Sequence, residues 1–263
     1  MTGGASGIGR ATAVRLAAEG MQVCVVDIEG AAAEAVAEPL GGVGLRCDVT
    51  DPDQVDATFA SCMADLGGLD VAFLNAGVTI DWSGDIGSLD LTQYRRSIGV
   101  NLDGVVFGVR AAVRAMRSSG AGDRAILATS SLAGLMPWHP DPVYSLGKHA
   151  VVGMMRSIAP NLAAEGIAVH TICPGITETG VLGDRRPLVE RIGVPVMEPE
   201  AIADAALDLT VMAWGNPSEK RLARYRDLGS TRVVIGGGRR DGDDASTTWA
   251  YLDQYAPLVS ELR

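Results

Sequence analysis

Tyr144 and Lys148 stand four positions apart in the run 144-YSLGKHAVVGMM-155, whose apolar spacing predicts a helix. At that separation two side chains share a helix face, with Cβ atoms about 5–6 Å apart. A phenol ionises near pH ~10 and is a poor base at neutrality. An ammonium beside it favours the phenolate and lowers that value. A tyrosine tuned in this way can take the proton from an alcohol, or return it to a carbonyl oxygen. Ser131 follows an apolar strand one loop upstream, where its hydroxyl could hold the reacting oxygen. An isolated Tyr-x-x-x-Lys pair is more often a solvated helix pair, so the reading depends on the elements around it.

Those elements alternate. Apolar, β-branched runs at 22–27, 44–47, 69–75, 125–129, 169–173 and 232–235 read as strands. Segments with helical spacing lie at 9–19, 31–39, 54–66, 91–116, 144–164 and 200–212. Continuous apolar strands separated by helices predict an α/β chain: a doubly wound, Rossmann-like parallel sheet covered on both faces. At 263 residues, 1–263 reads as a single dinucleotide-binding and catalytic domain. Such a sheet should place a strand before its first glycine turn, yet that turn begins at residue 2. The reading is therefore of a fold lacking the first strand, truncated relative to the natural start or completed in another way.

The opening run Thr2-Gly3-Gly4-Ala5-Ser6-Gly7-Ile8-Gly9-Arg10 would let backbone approach a diphosphate at a helix N-terminus. A glycine turn is weak evidence by itself. The strand that follows ends in Asp27, where a dinucleotide fold places a carboxylate on the adenosine ribose. That carboxylate would repel a 2′-phosphate, so NAD is favoured over NADP. Asp48 ends the next strand and reads equally as an adenine contact or a helix cap. Asn75-Ala76-Gly77 would keep the cleft floor low, or simply mark a turn.

Taken in order, Thr2-Gly3-x-x-x-Gly7-x-Gly9, Asn75-Ala76-Gly77, Asn101, Ser131, Tyr144-x-x-x-Lys148 and Pro174-Gly175 resemble the motif set of the short-chain dehydrogenases/reductases. The resemblance covers roughly residues 2–182. It implies that Thr2, Gly3, Gly7, Ile8 and Gly9 form the pyrophosphate turn, that Asp27 holds the ribose, and that Asp48 with Val49 meets the adenine. It implies that Asn101 supports a water-linked proton path through Lys148, that Lys148 touches the nicotinamide ribose, and that Ile176 and Thr179 contact the carboxamide end. Within the family, residues 130–157 and 172–182 are most similar to NAD-dependent hydroxyprostaglandin dehydrogenases, which implies an apolar, lipid-like alcohol. Asp141, three before the tyrosine, departs from the amide of those enzymes.

Around the expected nicotinamide position, Leu132, Trp138, Asp141, Val181 and Leu182 join Ser131 as expected substrate contacts, with Leu135 and Met136 as further wall or core. Residues 183–198 read as a substrate lid, and 239–263 as a C-terminal tail. His149 and His170 read as surface residues without chemistry, and the four cysteines as free thiols rather than metal ligands. A net charge of −10 argues against nucleic acid or an anionic membrane as partner. No run approaches the ~20 apolar residues of a membrane span, and no leader precedes Thr2, so a cytoplasmic enzyme is expected. The helices around Asn101 and Lys148 are rich in apolar residues, as at 100–113; the family resemblance implies that they pair between subunits in a homodimer or homotetramer, with burial against the sheet as the competing reading. The expected function is hydride transfer between NAD and a secondary alcohol or ketone. A non-catalytic NAD(H)-binding sensor or scaffold, and an NADP-dependent ketone reductase, stand as alternatives.

Overall fold

The computed structural model describes residues 1–80, 85–119, 122, 124–180, 182, 196–212 and 233–234. The expected tail, Val181 and all of the expected lid except 196–198 lie outside the described residues.

Short parallel strands follow the predicted runs. They are β1 (Cys24–Asp27), β2 (Val43–Arg46), β3 (Val71–Leu74), β4 (Arg124–Thr129) and β5 (Ile167–Ile172). Helices α1 (Gly7–Ala18), α2 (Gly30–Ala37), α3 (Pro52–Leu66), α4 (Leu91–Ile98), α5 (Gly104–Ser118), α6 (Pro142–Ala163) and α7 (Pro199–Met212) connect or cover them. β1 pairs with β2, and β3–β4–β5 form a second parallel run. A two-residue strand, β6 (Val233–Val234), pairs antiparallel with β5. That differs from the all-parallel expectation. A sheet edge accepts a strand in either direction, and antiparallel edge strands on parallel sheets are common.

Met1 and Thr2 occupy the place where the first strand of such a sheet would stand. Thr2 bridges in parallel to Val26 of β1 and to Leu74 of β3. The Val26 amide donates to the Met1 carbonyl at 2.8 Å, and the Thr2 amide donates to the Phe73 carbonyl at 3.0 Å. The two halves of the sheet are therefore stitched by a stub of strand, and the glycine turn leaves from the stub.

Strand alternation sends apolar side chains to both faces. Ala72, Leu74, Ile126, Ala128, Ile167 and Val169 pack with Val105, Val109 and Met116 of α5 and Val151, Met155 and Leu162 of α6. Phe73, Ala125, Leu127 and Ile172 face Ile202 and Ala206 of α7. Helix starts follow local chemistry. Asp51 caps α3 ahead of Pro52 by accepting from the Asp53 and Gln54 amides, and Asp141 caps α6 ahead of Pro142.

The predicted helix over 91–116 is not continuous. A π-helical turn, 99–103, separates α4 from α5 and contains Asn101. Such turns break the regular ladder and are frequent at functional sites.

Candidate active site

The carboxyl ends of the strands carry the chemistry-bearing residues, the usual ligand edge of a doubly wound sheet. The loop after β4 places Ser131 as the cap of a short 3-10 turn, its Oγ accepting from the Ala133 amide at 3.1 Å. The first two turns of α6 hold Tyr144 and Lys148 over the same spot. The Lys148 ammonium lies 5.4 Å from the centre of the Tyr144 ring. It donates to the Thr129 carbonyl at 2.9 Å and is 2% exposed. Tyr144 reaches Ser131 by a side-chain hydrogen bond.

Burial decides the electrostatics. The Tyr144 phenol is pushed up to about 12, mainly by desolvation, with Ser131 opposing and the Asp141 charge adding to the rise. The Lys148 ammonium is pulled down to about 8 by the same desolvation. The expected lowering of the phenol by Lys148 is therefore outweighed in the protein alone. A deep, dry site penalises phenolate more than the Ser131 hydrogen bond relieves it.

Asn101 is fully buried. Its Nδ2 donates to the Val78 carbonyl at 2.8 Å, and its Oδ1 accepts from the Val78 amide at 3.1 Å. It thus grips the chain just past Gly77. A Cβ on Gly77 would stand 3.1 Å from the Asn101 Oδ1 and 3.5 Å from the Lys148 Nζ. The Asn75-Ala76-Gly77 run therefore forms a low wall beside the lysine.

The glycine turn is built for close approach. Gly3 and Gly7 adopt φ of 62° and 48°. A Cβ at Gly9 would lie 2.0 Å from the Gly3 carbonyl oxygen. Ser6 precedes α1 without capping it through its side chain, so the first amides of the helix remain available to an anion. The Thr2 hydroxyl accepts from the Asn75 and Ala76 amides, and Asn75 Nδ2 donates to the Gly3 carbonyl. Thr179 lies against this turn, its Cγ2 2.8 Å from the Cβ position of Gly7. The expected pyrophosphate residues and one expected nicotinamide-end residue are thus brought together. A diphosphate fits this backbone cradle, which any side chain would fill.

Other expected residues are placed as follows. Asp27 ends β1, and its carboxylate accepts from the Ala5 and Glu29 amides, adjoining the glycine turn. Asp48 accepts from the Thr50 amide and hydroxyl, while Asp51 is the helix cap. Val49 is buried against Gly104 of α5. The loop after β5 carries Pro174, Gly175 and Ile176. It is anchored by the Leu132 amide on the Pro174 carbonyl and by a bridge from Thr177 to Met197. Leu132, Leu135, Met136 and Trp138 are partly buried, and Leu182 is buried. Asp141 is 2% exposed, with its two oxygens on the Tyr144 and Ile80 amides. It is therefore not presented to a substrate.

Sequence reasoning missed Ser130, whose Oγ donates to the Lys148 carbonyl at 2.8 Å. It also missed Cys173, a buried thiol near both Tyr144 and Lys148 that burial pushes up to about 11. Their positions beside Ser131 and before Pro174-Gly175 were the available signals. His170 is not on the surface. It is 6% exposed on β5, with neither ring nitrogen hydrogen-bonded among the described residues, and burial lowers it to about 4.

A parallel sheet with a glycine turn at its centre and a Ser-Tyr-Lys group at its carboxyl edge defines a nicotinamide-dependent oxidoreductase class. Residues 1–188 match the family model of the short chain dehydrogenases, and the chain belongs to that family, whose members are NAD(P)-dependent oxidoreductases of CH–OH groups. It is 38% identical over 196 residues to 3beta-hydroxysteroid dehydrogenase of Mediterraneibacter gnavus, covering 73% of this chain and 67% of that protein. It is 35% identical over 192 residues to human 15-hydroxyprostaglandin dehydrogenase [NAD(+)], covering 69% and 68%. The structure resembles that of 3-ketoacyl-(acyl-carrier-protein) reductase from Brucella melitensis complexed with NADH, with a TM-score of 0.74, 26% identity, and coverage of 84% and 90%. The chain spans about two thirds of the length of both curated relatives. Among the described residues no helix is long and apolar enough to cross a membrane.

Proposed function

We propose that this protein transfers hydride between NAD and a secondary alcohol or ketone, with an apolar substrate. The observation that carries the reading is the convergence of Ser131, Tyr144 and Lys148 beside a wall, residues 75–77, that is itself bonded to the glycine turn. A nicotinamide bound along that line supplies the hydride acceptor, and its oxidised ring adds positive charge. Ser131 holds the substrate oxygen. Tyr144 takes the hydroxyl proton as the carbonyl forms and returns it in the reverse direction. Lys148, fixed on the Thr129 carbonyl, keeps a positive charge across the ring from that proton. Asn101 holds the Val78 backbone and with it the wall over Lys148.

NAD is preferred because Asp27 places a carboxylate at the end of β1, beside the glycine turn, where a 2′-phosphate would be repelled. The partly buried Leu132, Leu135, Met136 and Trp138 suit an apolar alcohol. The names of the hydroxysteroid and hydroxyprostaglandin relatives point the same way. The same reading carries a homodimer or homotetramer that pairs through the helices around Asn101 and Lys148, α5 and α6.

The test is thermal unfolding with NADH and then with NADPH. Binding at ~100 times Kd adds about 2.7 kcal/mol to the native state. A shift with NADH alone supports the cofactor reading. Apolar secondary alcohols are then screened with NAD for NADH formation. A shift with neither cofactor defeats the reading.

A further inference from the structure

We infer that Asp141 is a positioning residue: its carboxylate ties the chain leaving β3 to the first turn of α6 and so fixes Tyr144 against the wall of the site. The inference rests on the proposed alcohol–ketone chemistry and adds to it a residue that touches no substrate.

Asp141 is buried at the N-terminus of α6. Its Oδ1 accepts from the Tyr144 amide at 2.8 Å, an ordinary cap. Its Oδ2 accepts from the Ile80 amide at 3.1 Å, in a contact 61 positions apart in sequence and fully buried. Two residues before Ile80, both polar groups of Val78 are gripped by Asn101. The segment 78–80 is thus held at one end by the π-helical turn and at the other by the helix that carries Tyr144 and Lys148. A Cβ added to the residue before this segment, Gly77, would stand 3.5 Å from the Lys148 Nζ.

The residue type follows from the partners. Two amides, one of them fully buried, converge on one buried side chain, and each needs an acceptor. A carboxylate offers two acceptor oxygens, whereas a side-chain amide offers one and would turn a donor toward the other N–H. The short aspartate arm also suits the capping position. Hydrogen bonds to an ionised oxygen are the stronger kind.

The charge has a second consequence. The groups facing the Tyr144 phenol are Lys148 from the same helix, Ser131 from the loop after β4, Cys173 from the end of β5, and Asp141 at the cap. Asp141 is the negative member, and it favours the neutral phenol. Removing its charge should let Tyr144 ionise at lower pH.

The test uses the full chain carrying Asp141→Asn or Asp141→Ala. It measures backbone amide hydrogen exchange, KM, kcat and the pH profile of alcohol oxidation. Exchange at Ile80 and Tyr144 should speed up at both amides in Asp141→Ala, and mainly at one in Asp141→Asn. With one buried donor unpaired, kcat in Asp141→Asn should fall about tenfold while KM stays within about threefold. The acid limb of the oxidation profile should move to lower pH. Unchanged exchange overturns the tether. A raised KM with unchanged kcat and profile makes Asp141 a substrate contact instead, and also overturns it. If Asp141→Ala fails to fold, Asp141→Asn decides. If the unmodified protein oxidises no alcohol, the proposed function fails while the exchange result still stands or falls by itself.

Discussion

The ammonium of Lys148 lies 5.4 Å from the centre of the Tyr144 ring, yet burial drives the two groups' ionisation the same way, each toward its neutral form. The protein alone therefore holds a neutral tyrosine at physiological pH. A positive charge brought in by the cofactor is what would shift the balance toward proton transfer.

Tyr144→Phe should remove turnover while sparing the cofactor site. The phenol oxygen is the proton carrier, and general acid–base groups contribute about 10²–10⁴-fold. The ring remains to fill its space. Expected results are a kcat at least about a hundredfold lower and an NADH-induced thermal shift close to that of the unmodified protein. A normal kcat would remove Tyr144 from the mechanism.

Lys148→Met should act through charge. An ammonium near the ring favours phenolate, so its loss should move the acid limb of alcohol oxidation to higher pH. The direction is opposite to that expected for Asp141→Asn. Measuring both profiles against the unmodified protein checks the sign of each contribution.

Gly9→Ala should destroy cofactor binding. The added Cβ would stand 2.0 Å from the Gly3 carbonyl oxygen and 2.8 Å from its carbon. Both are backbone atoms, so the glycine turn itself must move. The NADH-dependent thermal shift should vanish. Gly20→Ala is the contrasting change. Its φ of 85° carries strain, but open space surrounds it, so some stability should be lost while NADH binding persists.

His170 should make the fold sensitive to mild acid. Its native value, about 4, lies below the ordinary 6.5. Between those values the unfolded chain binds more protons than the native one, so stability rises with pH across that window. It is fully present above ~6.5 and lost as pH falls toward ~4, on the order of 2–3 kcal/mol in all. His170→Leu should flatten this part of the curve in urea unfolding between pH 4 and 6.5. An unchanged slope would place the acid sensitivity elsewhere.

Much of the site was legible in residue types and spacing. Tyr144 and Lys148 share a face because a helix repeats every 3.6 residues, and glycines at 3, 7 and 9 announce backbone that must come close to something. Alternating runs of β-branched and helical residues predicted the doubly wound sheet. These features are local, carried by short stretches of chain through sterics and periodicity.

What only the tertiary structure decided depends on groups far apart in sequence. Asp141 read as a substrate contact because it sits in a loop near Tyr144. Its burial, and its bond to Ile80, exist only once β3 and α6 have come together. The predicted helix over 91–116 gave no sign of the π-helical turn that aims Asn101 at Val78. His170 read as a surface residue, since nothing in its own strand says how deeply β5 lies between two helical layers. The same depth sets the ionisation of Tyr144 and Lys148. Spacing places two side chains on one face, but desolvation belongs to everything packed around them.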